Sequence, residues 1–461
     1  MPVKIEHAAE TPAAAGAKKL FVKSYGCQMN VYDGLRMAEL LAPHGYALAA
    51  EPETADLIVL NTCHIREKAD EKVFSDIGRL RKNNAGAIIA VGGCTGQALG
   101  AKIMQREPAV SVVFGPQTYH HLPELLGKVT SGQQKRAFDV SSFDTNPTLE
   151  KFDNLPTPGV YGPSAFLTIQ EGCDKFCTYC VVPYTRGREI SRSAQSIIAE
   201  AHKLVGQGAR EVTLLGQNVN AYEHEGISLA KLLEMLGEIE GLERLRFTTS
   251  HPANTTPDLI AAFANNPKLM PYFHLPVQAG SNKILRAMNR AHTVESYLET
   301  IAAVRKARPD IAISGDFIVG FPGETEEDFE QTLALAHAVQ YVGAYSFAYS
   351  ARPGTPAAQM ADTVDEVTKK ERLAALNVVL DDSLATFAQS FVGQTVPVLV
   401  ERPVGNPGRY GNQMRGRSPH NLPVNFTYPD TLDAATLPGQ VVHVAVTHSG
   451  SKALVGTLAS R

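Results

Sequence analysis

Short apolar runs alternate with amphipathic stretches in two long series, and this alternation restricts the fold more than any other feature of the chain. In the first series, "KKLFVKS", "ADLIVLNT" and "AIIAVGG" read as strands. They are separated by "VYDGLRMAELLAPHGY" and "EKVFSDIGRLRKNN". The former repeats Val31, Leu35, Ala38 and Leu41 at helical spacing and stops at Gly45. The second series holds six strand candidates, "SAFLTIQ", "REVTLLG", "RLRFTTS", "PYFHLPV", "AISGDFIVG" and "AYSFAYS". Helical stretches lie between them: Ile197, Ile198, Ala201, Leu204 and Val205 share one face, and Thr325 with Asp328 three residues on reads as a cap. Strands alternating with helices build parallel sheets covered by helices. The first series predicts a doubly wound α/β domain, and six repeats in the second predict a partial (βα)6 barrel rather than a closed eightfold one.

Between the two series, "FDNLPTPGVYGPS" is rich in Pro, Gly and polar residues and reads as a linker. From about Ala388 the pattern changes to strict alternation, in "TVPVLVE" and "QVVHVAVTHS", which predicts a small antiparallel β-barrel. The expected organisation is a disordered tail over 1–17, an α/β domain over 18–135, a linker over 136–158, the half-barrel over 159–387 and the β-barrel over 388–461. A length of 461 residues suits three domains, and 44% hydrophobic with 20% charged residues excludes global disorder. A formal net charge of -4 argues against indiscriminate nucleic-acid binding but leaves room for local basic faces. No run approaches the ~20 apolar residues of a membrane helix, and the first residues lack the apolar core of a signal peptide. The expected location is the cytoplasm, where six cysteines are better read as metal or redox ligands than as bridges.

Cys27, Cys63 and Cys94 each fall just past the end of a different strand candidate. In a parallel sheet those ends share one edge, where sites assemble. Shared ligation is therefore the stronger reading, and three separately buried small side chains the weaker one. Cys173, Cys177 and Cys180, in "EGCDKFCTYC", follow the first strand of the second series. A closed zinc site asks for a fourth ligand at short spacing, and none is near. An iron–sulfur cluster takes three thiolates and leaves one iron open to a substrate or cofactor. Tyr179 is placed to lie against a heterocycle bound there.

"SYGCQMN", "NTCHIREKA", "GGC", "EGCDKFCTYCVVPYTRGREISR" and "SGDFIVGFPGE" together resemble the methylthiotransferase family of the radical S-adenosylmethionine superfamily. The resemblance runs from about Lys18 to the end, where "RGRSPHNLPVNF" resembles the TRAM domain, a small RNA-binding β-barrel. The residues after Cys27 and Cys63 are similar to those of the bacterial branch that adds a methylthio group to carbon 2 of N(6)-dimethylallyladenosine at position 37 of tRNA, beside the anticodon.

The resemblance implies two [4Fe-4S] clusters, one on Cys173, Cys177 and Cys180 that binds S-adenosylmethionine, and an auxiliary one on Cys27, Cys63 and Cys94. One S-adenosylmethionine methylates a sulfur on the auxiliary cluster, and a second yields the 5′-deoxyadenosyl radical that activates the adenine. It further implies tRNA as partner, an external electron donor and a sulfur source; the apolar runs lead one to expect no membrane, and a monomer is one expected state, with the oligomeric state left open.

Many radical enzymes carry Gly-Gly-Glu after the second barrel strand. Here "LLGQNVN" stands instead, so Gln217 or Asn218 takes that contact to the cofactor. Gly320, Pro322, Gly323 and Glu324 resemble the adenine-side motif, and Gln278 and Ser281 reach the ribose or cap the next helix. His251 and His274 read as satisfied structural histidines. Arg186, Arg188 and Arg192 beside the cluster loop, and Arg409, Arg415 and Arg417 in the β-barrel, are RNA-contact candidates, with a solvated face as the alternative. From Thr386 on, six Lys and Arg stand against three Asp and Glu. Two other functions compete: methylthiolation of a ribosomal protein or of another tRNA adenosine, and a non-enzymatic iron–sulfur or zinc RNA-binding protein.

Overall fold

A computed structural model of the chain describes residues 3–4, 16–64, 67–141, 150–156, 158–404, 412–450 and 453–459. The first domain is a parallel sheet of β1 (Lys18–Ser24), β2 (Tyr46–Leu48), β3 (Leu57–Thr62), β4 (Ile88–Gly92), β5 (Val110–Phe114) and β6 (Ala137–Asp139). Its order is β2-β1-β3-β4-β5-β6. All six residues of β3 are buried because helices cover both faces. The order reverses between β1 and β3, since β2 lies outside β1, and that reversal opens a crevice at the strand C-termini.

Two boundaries differ from expectation. Val3 and Lys4, inside the expected tail, pair antiparallel with Ser24 and Lys23 of β1. The expected linker over 136–158 holds β6, which pairs with β5, and a one-turn helix Glu150–Asp153 that buries Lys151. A three-residue strand and a single turn are too short to show periodicity.

The helix Gln28–Leu41 also buries more than one stripe. Met37, Ala38 and Leu41 face the sheet of their own domain, while Met29 and Tyr32 pack on Leu215 of the next. Val31 and Leu35 are only partly buried. A helix wedged between two domains loses the single apolar face that the sequence pattern suggests.

The second domain has six parallel strands in two sets of three. β7 (Ser164–Thr168), β8 (Glu211–Leu215) and β9 (Arg244–Phe247) pair in sequence order. β10 (Tyr272–His274), β11 (Ala312–Val319) and β12 (Gly343–Ala348) do the same. A single bridge, Leu245 to Leu269, joins the sets into a half-barrel. Phe247, Phe263 and Phe273 stack tilted or edge-on in its core, with centroids 5.2–5.7 Å apart. The capping box at Thr325 forms as expected.

The last five strands, β13 (Thr395–Pro403), β14 (Gln413–Arg417), β15 (Pro423–Thr427), β16 (Val441–Ser449) and β17 (Leu454–Leu458), close into a barrel. One pair, β15 with β17, is parallel, because β16 crosses over between them in sequence. Arg244 donates to the carbonyls of Arg417 (2.7 Å) and Pro397, and Arg246 to those of Ser418 and Pro419. These arginines lie at the start of β9, and Tyr272 and Ala312, which begin β10 and β11, join the small barrel's core. The β-barrel therefore seats on the N-terminal ends of the half-barrel strands, opposite the end that carries the cysteines.

Candidate active site

Three chain segments converge at the crevice of the first domain. Cys27 is the N-cap of Gln28–Leu41, Cys63 follows β3, and Cys94 is the second residue of the helix Gly93–Leu99. Glycines allow the close approach. A Cβ on Gly26, at φ +94, would lie 2.4 Å from Cys63 Cβ, and one on Gly93, at φ +85, would lie 2.4 Å from the Thr62 carbonyl. Polar side chains then lock the strand ends together. Asn30 Nδ2 donates to the Tyr25 (2.6 Å) and Thr62 (3.0 Å) carbonyls, Asn61 Nδ2 donates to Asn30 O, and Thr95 Oγ1 donates to Cys63 O. Cys63 and Cys94 are buried, whereas Cys27 is accessible. Desolvation nevertheless raises the Cys27 thiol pKa, while Arg186 works against that rise.

The second triad sits on the loop after β7. Gln170–Glu171 pairs antiparallel with Ile190–Ser191 and turns the loop into a wide hairpin. Cys173 N–H donates to Gly187 O at 3.2 Å, and Gly172 N–H to Gln217 Oε1 at 2.6 Å. Gly172 has φ +73, and a Cβ there would lie 1.9 Å from the Arg188 carbonyl. The far side of the loop is tied to Asn282–Ala287 and its C-cap: Thr178 N–H donates to Met288 O, Thr178 Oγ1 to Ala287 O, and Asn289 Nδ2 to Phe176 O. Arg290 Nη1 lies 3.6 Å from Cys177 Sγ, and Val182 N–H 3.5 Å from Cys180 Sγ. Burial pushes the Cys173 thiol up to about 11 and the Cys180 thiol up to about 12. Bare thiols here hold their protons at neutral pH, so thiolate ligation must expel them.

The donor set narrows the choice of metal. Among the described residues, the one set of three His, Cys, Asp or Glu ligand atoms within 4.8 Å of one another is His120, His121 and Glu150. Neither cysteine triad is drawn that tight. Zinc–thiolate bonds of about 2.3 Å require sulfurs roughly 3.8 Å apart. A cubane holds its thiolates on separate iron corners and spreads them wider. Three thiolates are the donor set of an iron–sulfur cluster that leaves one iron open.

A buried polar network joins the triads. Arg186 Nη2 donates to Asp33 Oδ2 (2.7 Å) and Asn30 Oδ1 (3.0 Å) of the first domain. Glu171 accepts from Lys151, lies 3.5 Å from Arg186 Nη1, and accepts from Gln117 Nε2 at 2.6 Å. Asp33 and its neighbours hold Arg186 firmly as a cation, while burial opposes the Asp33 charge that Arg186 supports. Arg192 is likewise buried, donating to Thr168 O, pairing with Glu200 at 2.6 Å and stacking on Phe152. Arg186 and Arg192 are therefore unavailable to RNA, contrary to the sequence expectation. Both belong to a motif whose charge run hid two interior positions. Arg188 is exposed and pairs only loosely with Asp174, at 3.3 Å. Arg415 and Arg417 share one face of β14, and Arg417 pairs with Glu401 at 2.9 Å. Arg409 lies outside the described residues.

The expected cofactor residues divide in two. Tyr179 packs against a buried apolar cluster that includes Ile284, Phe321 and Tyr349. The Gln278 backbone adopts φ +80 and bridges to β11, while its side chain makes no hydrogen bond among the described residues. Asn218 is buried, holds Glu189 and Asn254 through Nδ2, and leaves Oδ1 without a partner among the described residues. Others are taken up structurally. Gln217 anchors Gly172. Ser281 donates to Asp328 Oδ1 at 2.6 Å rather than facing a ribose. Glu324 accepts the Gly320 N–H and pairs with Arg372 at 2.8 Å, which fastens the Gly320–Glu324 turn to the helix Glu366–Gln389. Gly320 has φ +69 and lies against Lys369, while Pro322 and Gly323 complete that turn.

Sequence reasoning passed over Arg290, His292 and Ser250. Beside Asn218 Oδ1, the atoms Ser250 Oγ, His251 Nε2 and Arg290 Nε are buried without hydrogen-bond partners among the described residues. They follow β8, β9 and the loop after β10, at the C-terminal mouth of the half-barrel. Unsatisfied buried polar atoms are scarce in folded proteins, and gathered at one mouth they fit a polar ligand. Desolvation lowers His251 to about 2 and His292 to about 3, so both stay neutral. His274 is satisfied by Ser314 and Asp316, as expected, whereas His251 is only half satisfied, through the Ala253 N–H.

The half-barrel with its cysteine loop defines the class: an α/β enzyme of the radical S-adenosylmethionine type, carrying a second cysteine-bearing α/β domain. The family model of the Radical SAM superfamily matches residues 167–336, and that of uncharacterized protein family UPF0004 matches residues 19–115. Over 450 residues the chain is 53% identical to the tRNA-2-methylthio-N(6)-dimethylallyladenosine synthase of Jannaschia sp. (strain CCS1), covering 96% of this chain and 94% of that one. The synthase of the same name from Maricaulis maris (strain MCS10) is 53% identical over 458 residues, covering 96% and 97%. Among solved structures, the radical S-adenosylmethionine methyltransferase TsrM from Kitasatospora setae shares the fold, with a TM-score of 0.55 at 16% identity over 74% of this chain and 75% of that one. The chain belongs to the tRNA-2-methylthio-N(6)-dimethylallyladenosine synthase family.

Proposed function

We propose that this enzyme transfers a methylthio group to carbon 2 of N(6)-dimethylallyladenosine at position 37 of tRNA. The observation that carries the reading is the pairing of two cysteine triads, on the C-terminal edges of two α/β domains, through one buried network around Arg186. Radical SAM membership brings a [4Fe-4S] cluster and S-adenosylmethionine. Cys173, Cys177 and Cys180 hold that cluster, and Cys27, Cys63 and Cys94 hold a second. When bound, these groups supply the one-electron chemistry that an adenine C–H, which offers no acidic proton to a general base, requires.

The protein supplies placement. Arg290 sets a cation against the Cys177 sulfur. Asn218, Ser250 and Gln278 offer polar atoms to S-adenosylmethionine, and Tyr179 offers its ring. His251 and His292, neutral, take part through hydrogen bonds rather than charge. Ser281, Glu324 and Gln217 hold the loops on which these contacts depend. Exposed Arg188 near the mouth and the Arg415 face of the small barrel meet phosphates of the tRNA, an extended molecule able to reach both ends of the half-barrel. No described helix is long and apolar enough to cross a membrane, and a tRNA substrate puts the work in the cytoplasm. The reaction draws on an external electron donor and a sulfur source.

The test is anaerobic reconstitution with iron and sulfide, followed by S-adenosylmethionine, a reductant and tRNA bearing the dimethylallyl group. The expected products are 5′-deoxyadenosine and a methylthio nucleoside, with no methylthio product on tRNA lacking that group. Cleavage of S-adenosylmethionine with no modified tRNA would move the substrate elsewhere. Two clusters with no cleavage would favour a binding protein.

A further inference from the structure

Arg186 is 3% exposed and sits where the domains meet. Its Nη2 is fully engaged by Asn30 and Asp33. Its Nη1 is buried, makes no hydrogen bond among the described residues, and approaches Glu171 Oε1 only to 3.5 Å. A guanidinium has five N–H groups, so this side chain keeps donors in reserve. Asn30, which Arg186 holds, donates its N–H to Cys27 O at 3.1 Å. The turn Val182–Thr185 that precedes it packs on the helix carrying Cys94. The next residue, Gly187, accepts the Cys173 N–H. A single dipeptide thus meets Cys173 directly and the Cys27 turn through Asn30.

We propose that Arg186 is a positioning residue for the second cluster, its spare Nη1–H donating to sulfur held between Cys27 and Cys94 while Gly187 fixes the first cluster's loop. The inference rests on the reading that Cys27, Cys63 and Cys94 hold an iron–sulfur cluster. Reduction adds negative charge to such a cluster, and a neighbouring cation with N–H···S bonds favours the reduced form. Arg186 raises the cluster's potential, and Asp33, across the same guanidinium, opposes it.

The test is an EPR-monitored redox titration of the full chain, reconstituted anaerobically, with Cys173, Cys177 and Cys180 replaced by Ala so that only the second cluster reports. Arg186→Gln should shift the midpoint potential to more negative values. Arg186→Lys, which keeps the charge, should stay closer to the parent. Asp33→Asn should shift it to more positive values. A merely structural role would change cluster yield or melting temperature and leave these signs unordered. Potentials equal to the parent in Arg186→Gln and Asp33→Asn overturn the proposal. Should Arg186→Gln fail to take up a cluster, Asp33→Asn decides alone, and an unchanged or more negative value there overturns it. A parent that assembles no cluster overturns the underlying ligand assignment and this inference with it.

Discussion

Arg290 and His251 show how burial turns ordinary side chains into parts of a site. The guanidinium of Arg290 lies 3.6 Å from Cys177 Sγ and is 9% exposed. Partners just outside a metal's ligand shell typically govern about 10–100-fold in affinity or activity. Arg290→Met is expected to lower S-adenosylmethionine cleavage by about that factor while leaving the second cluster in place, which a 5′-deoxyadenosine assay with iron analysis will show. His251 is neutral in the fold, with its pKa lowered to about 2, and titrates near 6.5 when unfolded. Above pH 6.5 neither state binds the proton, so the fold loses nothing. Below it only the unfolded chain does, and stability falls by about 1 kcal/mol for each further pH unit. Denaturant melts between pH 7.5 and 5.5, compared with those of His251→Gln, test this: the variant should show the shallower loss. The cysteines were legible at this scale because their spacing is chemically specific. Arg186 and Arg192 were not, because a run of charge reads as surface until a second domain is known to cover it.

At the scale of elements, two glycines hold the loops in shapes no other residue allows. Gly172 has φ +73 with the Arg188 carbonyl where a Cβ would go, and Gly93 has φ +85 with the Thr62 carbonyl in the same position. Gly172→Ala should cost the chain the cluster of Cys173, Cys177 and Cys180 and spare the other. Gly93→Ala should do the reverse. Iron content with EPR spectra separates the two outcomes, and loss of both clusters in either variant would contradict independent loops. The alternation of strands and helices was readable because both periods repeat across many residues. The three-residue β6 and the turn Glu150–Asp153 were not, since neither is long enough to show a period, and Lys151 looks solvated until its buried partner Glu171 is seen.

Across the whole molecule, the cysteine-bearing edges face each other at one end of the half-barrel and the small β-barrel closes the other. The six-strand count survives in the structure, whereas the docking of domains depends on side chains such as Asp33, Arg244 and Arg246, whose partners are distant in sequence. Arg415 stands on the outer face of the small barrel, away from the chemistry. Arg415→Ala should weaken tRNA binding and reduce its salt dependence by about one charge, with tRNA-independent cleavage of S-adenosylmethionine unchanged. Filter binding across a salt series checks it. The central claim is that two separate triads each hold a cluster, and Mössbauer spectroscopy of the reconstituted full chain tests it most directly. The wild type should contain two [4Fe-4S] clusters. A variant with Cys27, Cys63 and Cys94 changed to Ala should retain one, and a variant with Cys173, Cys177 and Cys180 changed to Ala should retain the other. A single cluster in the wild type, lost when either triad is removed, would contradict it.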